Sequence, residues 1–173
     1  MLRALDRLYD AAGVLAALAI LFICALVTAQ VSLNVLARLG GPGWSLTIPS
    51  YADFAGYALA SATFLALAHT LRRGGHIRVT LLSGRLPAPL RRPVDAAVLL
   101  LAAALAGFAA FWLWALVAES LHYGDTSPGM VPVPLWLPQI PVALGLTLLT
   151  VALLHTLVER WAGRAIPDAG EEA

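Results

Sequence analysis

Two histidines are the side chains in this sequence best placed to hold a metal centre. His69 and His155 each lie near the end of a long apolar run. If those runs cross a membrane in the same direction, the rings reach a similar depth. Facing histidines on different helices can ligate haem iron. A plainer reading competes, in which both are amphipathic rings at headgroup level. Matching depth arises easily by chance, and the plainer reading is preferred. The chain has one cysteine, Cys24, and so no intramolecular disulfide and no thiolate cluster. It carries no P-loop, HExxH, GxSxG or CxxC motif, and no nucleophile–base pair can be read from it. No catalytic residue, metal ligand or cofactor is expected, and the chain does not read as an enzyme.

Composition explains this scarcity. Of 173 residues, 60% are hydrophobic and 12% charged, and the mean hydropathy is +0.82. Soluble domains carry about 45–50% apolar and about 25% charged residues. The balance excludes a disordered chain, a disulfide scaffold and a nucleic-acid binder. It fits an all-α integral membrane protein with a single membrane domain.

Four runs are long enough to cross a bilayer, which takes about 20 apolar residues. They are residues 11–37, 51–71, 94–121 and 135–158. They are continuous rather than alternating, which argues for helices and against barrel strands. Val27-Thr28-Ala29 has the small residues of a signal-peptide cleavage site, but the run is too long and stays apolar beyond it.

The arginines set an orientation. Arg3, Arg7, Arg72, Arg73, Arg78, Arg85, Arg91, Arg92, Arg160 and Arg164 fall on one side of the four spans, and Arg38 alone on the other. The positive-inside rule then places both termini and the loop between helices two and three in the cytoplasm. Residues 2–10 divide into Leu2, Leu5, Leu8 and Tyr9 on one helical face and Arg3, Asp6, Arg7 and Asp10 on the other. That pattern predicts a short interfacial helix or simply the flank of span one. In the central loop, Gly74-Gly75 ends span two. Residues 79–86 predict an amphipathic segment, with Arg78 and Arg85 snorkelling to lipid phosphates. Arg72, Arg73, His76, Arg91 and Arg92 complete this basic, lipid-contacting loop. Residues 163–173 read as a flexible tail.

Polar residues inside spans are costly and need a reading. Gln30, Asn34, Arg38, Asp53, Glu119 and Gln139 share a similar outer depth. They predict a structural polar network or partner contact, with Arg38 pairing with Asp53 or Glu119. No acid lies at mid-membrane, where an ion path normally needs one. Span two also carries two small-residue faces, Ala52-Gly56-Ala60 and Ala58-Ala62-Ala66, and such faces let helices approach closely. One would meet this chain's own helices and the other a partner. Trp44, Tyr51, Tyr123 and Trp136 read as an outer aromatic belt, and Tyr9 and Trp161 as an inner one.

Four features carry a resemblance. Arg38 closes a long first helix. Asp53 opens span two after a tryptophan-containing loop. Gly75-His76-Ile77-Arg78-Val79 is followed by Leu81, Leu82, Leu86, Pro87 and Arg91-Arg92. Thr126-Ser127-Pro128 leads through Val131-Pro132, Trp136, Gln139 and Pro141 to Gly145. Over residues 2–162 the layout resembles the DctQ-like small permease subunit of tripartite ATP-independent periplasmic (TRAP) transporters. Thr80 departs from an acid often found there, and Asp53 from a commoner glutamate. The resemblance implies a bacterial inner-membrane protein working beside a large multi-span permease subunit, a periplasmic substrate-binding protein and membrane lipids. It implies sodium-coupled uptake of a small organic anion such as a carboxylate. The small subunit would act as a scaffold with a docking surface on its outer loops. The rival readings are a redox protein with haem on His69 and His155, and a stand-alone oligomeric channel or transporter.

Overall fold

The computed structural model describes residues 2–40, 47–73 and 88–161, with side chains from Leu5 onward and, in the third helix, from Pro93. These residues form four helices: α1 (Leu2–Gly40), α2 (Tyr51–Arg72), α3 (Ala88–Tyr123) and α4 (Trp136–Trp161). Alanine and leucine dominate all four, and both are strong helix formers. All four are long and apolar enough to cross a membrane. The 22 residues of α2 alone span about 33 Å at 1.5 Å per residue. No β-strand forms among the described residues, which hold one isolated bridge, Thr126 to Pro134.

Residues 2–10 continue into α1 without a break, because neither glycine nor proline interrupts them. Pro93 and Pro141 lie inside α3 and α4 and cost each helix one backbone bond near its start. The predicted loop segment 79–86, with His76, Arg78 and Arg85, lies outside the described residues, as do Trp44 and the tail 163–173. So do the side chains of Arg91 and Arg92.

The helices stand in the order α1, α2, α4, α3. Helix α2 packs against α1 on one side and α4 on the other, and α3 packs against α4. Contacts between chain ends fix the directions. The start of α1 meets the end of α2, the ends of α2 and α4 meet, and the start of α3 meets the end of α4. Thus α2 and α4 run parallel, and α1 and α3 run against them.

Small residues fill the seams. Ala68 of α2 and Ala152 of α4 are fully buried against Tyr9 of α1. Ala103 and Ala106 of α3 pack against Leu153 of α4. Between α2 and α4, Gly145 touches the backbone of Phe64. Large side chains turn outward on the two edge helices, among them Leu15, Leu18 and Phe22 on α1 and Leu101, Leu105 and Phe108 on α3. In water such surface would drive aggregation, and in lipid it is matched to its solvent.

Candidate functional site

Polar side chains gather at the two ends of the array. At one end, ion pairs join all four helices. Arg72 Nη1 donates to Glu159 Oε2 at 2.6 Å and Nη2 to Glu159 Oε1 at 3.3 Å. Arg72 Nη2 also donates to Asp6 Oδ1 at 3.4 Å. Arg73 Nη2 donates to Asp10 Oδ1 at 3.0 Å, and the same oxygen lies 3.2 Å from His69 Nδ1. Arg160 Nη1 reaches Asp95 Oδ2 at 3.0 Å. Each pair crosses between two helices, so the belt staples α1 to α2, α2 to α4 and α4 to α3.

The two histidines lie at this charged end, as their depth in the sequence predicted, but with separate neighbours. His69 faces Asp10, and its ring covers Gly13 of α1. His155 is buried in the α1–α2–α4 junction beside Tyr9 and Glu159. Ala68 and Ala152 close the same seam, and α2 touches α4 at Phe64 and Gly145.

At the opposite end, polar groups fix the connections. Gln30, 3% exposed, accepts at Oε1 from the Ile48 N–H at 2.8 Å and donates from Nε2 to Asn34 Oδ1 at 3.0 Å. It thereby holds the approach to α2 against α1. Ser50 has φ 54°, a left-handed conformation, and its hydroxyl accepts from the Val131 N–H at 3.0 Å. Asp53 and Ser50 crowd Gly129 so closely that a Cβ there would collide with both. Within the α3–α4 connection, Ser127 N–H donates to Val133 O at 2.9 Å, and Val133 N–H donates back to Ser127 Oγ at 3.0 Å. Gln139 Nε2 donates to Ser120 Oγ at 3.0 Å, tying α4 to α3. The Pro-rich connection is thus clamped onto the start of α2.

The six residues read as a polar layer therefore do not form one network among the described residues. Gln30 joins Asn34, Asp53 lies under Gly129, and Gln139 meets Ser120. Arg38 and Glu119 are exposed, and neither makes an ion pair among the described residues. On α2, Ala62 is buried and Ala58 and Ala66 are half-buried. Ala52 and Gly56 are exposed, with Ala60 half-buried beside them. A Cβ at Gly56 would meet nothing within 4 Å.

Three features escaped the sequence reading. Tyr9 is a core residue and not a belt residue. Asp6, Asp10, Asp95 and Glu159 are the acids of the charged end. Trp114 Nε1 donates to Thr147 Oγ1 at 3.1 Å between α3 and α4. The i, i+4 spacing of Gln30 and Asn34 was visible in the sequence, whereas pairs 60 or more residues apart carry no local signal.

Gln30 gives a direct check of the clamp. Gln30→Leu leaves the Ile48 N–H without its acceptor in a part-buried place, which costs about 1–3 kcal/mol. The thermal midpoint of the purified variant should fall accordingly, while Asn34→Ala, at an exposed partner, should change it far less.

Four membrane-length helices, tied to one another by their polar groups at both ends, define a helical multi-pass membrane protein. Residues 27–163 match the family model described as "Tripartite ATP-independent periplasmic transporters, DctQ component". The match covers well over half of the chain, and the chain belongs to that family, the small permease components of TRAP transporters. The family is a transporter component and not an enzyme. No curated protein matches the sequence.

Proposed function

We propose that the chain braces the large permease subunit and offers part of the docking surface for the periplasmic substrate-binding protein. The transport served is ion-coupled uptake of a small organic anion such as a carboxylate, with sodium as the coupling ion. The family match over residues 27–163 carries this reading. The fold supports it in two ways. Each edge helix packs mainly against one neighbour, which leaves broad apolar faces for lipid and for another subunit. The Ala52-Gly56-Ala60 side of α2 stays open and lets a partner helix approach closely.

In this reading the charged end faces the cytoplasm of a bacterial inner membrane, with both termini, as the arginine bias demands. Arg72 and Arg73 then lead into the basic loop, whose Arg78 and Arg85 meet anionic lipid together with Arg91 and Arg92, which fall in the first turns of α3 and not in the loop. The opposite end faces the periplasm. There the end of α3 presents Tyr123 and the clamped α3–α4 connection presents Met130, both strongly exposed. Gln30, Asn34, Asp53 and Gln139 hold that surface in shape, and Arg38 and Glu119 are the charges available to a partner.

The test is a pull-down of the tagged chain from mildly solubilised native membranes, followed by mass spectrometry. A stoichiometric many-span partner is the expected result. The chain emerging alone, or with redox proteins, would sink the reading. Gly56→Leu should leave the chain's own melting unchanged and reduce recovery of that partner several-fold.

A further inference from the structure

Buried polar atoms with no hydrogen-bond partner among the described residues lie at the charged ends of α1, α2 and α4. Tyr9 is 1% exposed and His155 is 8% exposed. The Tyr9 hydroxyl, both ring nitrogens of His155 and Arg72 Nε are buried with no hydrogen-bond partner among the described residues. The two rings are neighbours, with centroids 6.3 Å apart and planes tilted by 35°. Glu159 Oε1 lies 3.3 Å from His155 Nε2 but off the line of a hydrogen bond. Arg72 grips the same carboxylate through its Nη atoms, which leaves Nε–H unused. The Tyr9 hydroxyl lies within electrostatic reach of Arg72, Asp6 and Glu159. One polar group from each of three helices therefore borders one junction.

Buried polar groups in folded proteins are almost always paired, because an unpaired one forfeits its hydration. Where no side chain reaches, an internal water usually supplies the bonds. We propose that this junction holds an internal water site whose ligands are Tyr9 Oη, an imidazole nitrogen of His155 and Arg72 Nε.

The donor set selects water over other small ligands. An anion would need free positive charge, and the Arg72 charge is already shared by Glu159 and Asp6. A metal ion would need acceptors, and a guanidinium N–H is a donor only. No group of three His, Cys, Asp or Glu side chains stands together among the described residues. Water both accepts and donates. It takes the Nε–H of Arg72, gives a proton to the unprotonated imidazole nitrogen, and meets the tyrosine hydroxyl in either sense. So bridged, α1 is tied to the α2–α4 pair inside the seam as well as at its rim. The site does not rest on the transport reading.

Tyr9→Phe removes one oxygen and keeps the packing. In the full chain, purified with any subunit it carries, a bridged hydroxyl predicts a melting temperature lower by about 2–4 °C. An unchanged or higher melting temperature means the hydroxyl had no partner, and overturns the proposal. The second measurement is water-edited solid-state NMR of the wild-type chain in bilayers with ¹⁵N-labelled histidine. A cross-peak from water to a His155 ring nitrogen, lost in His155→Gln, is expected. A lower melting temperature without that cross-peak overturns the proposal in favour of a direct bond from Tyr9.

Discussion

Arg72→Leu is expected to destabilise the folded chain by about 3–5 kcal/mol, the range seen when one partner of a buried ion pair is removed. The Arg72 and Glu159 side chains are 17% and 15% exposed, so water screens the pair weakly. The guanidinium meets both carboxylate oxygens, a two-pronged contact stronger and more directional than a single charged bond. Without it, Glu159 keeps its charge in a poorly hydrated place and loses this partner. Arg72→Lys should fall between wild type and Arg72→Leu, because an ammonium cannot span the two oxygens. The double variant Arg72→Leu, Glu159→Leu should recover most of the loss, since a buried pair replaced by apolar side chains is often nearly neutral. Asp6, half-exposed, is then left to water. Chemical or thermal unfolding of the three variants reads the difference directly. Equal losses in the single and double variants would show that packing, and not charge pairing, holds α2 to α4 here.

That pair marks where the sequence stops being readable. The four helices were legible because each is a long apolar run. The common end of His69 and His155 was legible too, from counting residues along two spans of the same direction. What surrounds them was not. Asp6 and Asp10 lie on the polar side of a local pattern that looks the same whether it faces lipid headgroups or arginines more than 60 residues away. Asp6 and Asp10 pair with Arg72 and Arg73, and Tyr9 is core while Leu8, from the same apolar side, stays exposed. The order α1, α2, α4, α3 left no trace in composition, since every helix is apolar all round. At the other end, Gln30 and Asn34 were visible as a one-turn pair. The partner of Gln139 was not, because Ser120 is a small hydroxyl at the end of another helix. Asp53 was singled out as an acid at a helix start, but its contact with Gly129 depends on a loop 76 residues downstream.

Glycine-to-alanine changes should separate the tight seam of the array from its open faces. In α4, a Cβ on Gly145 would collide with the carbonyl carbon and oxygen of Phe64 and lie 2.8 Å from its Cβ. These are backbone and near-backbone atoms, which cannot swing aside as a side-chain tip can. The only relief is for α2 and α4 to move apart. Overpacking of this kind typically costs about 1–3 kcal/mol, occasionally more, and the rigid contact puts Gly145→Ala at the upper end. The damage spreads because α2 and α4 are the two middle helices. Ala68, Ala152 and Tyr9 share the same seam, and the Arg72–Glu159 contact bridges it. Gly107→Ala, on α3, is the control. Its Cβ would sit 3.4 Å from Thr150 Cγ2, an ordinary contact. There the change should be neutral or stabilising by up to about 1 kcal/mol, because alanine is the better helix former. Melting curves of the two variants, side by side in one detergent, decide it. If Gly145→Ala melts like Gly107→Ala, α2 and α4 do not meet backbone to backbone at this point.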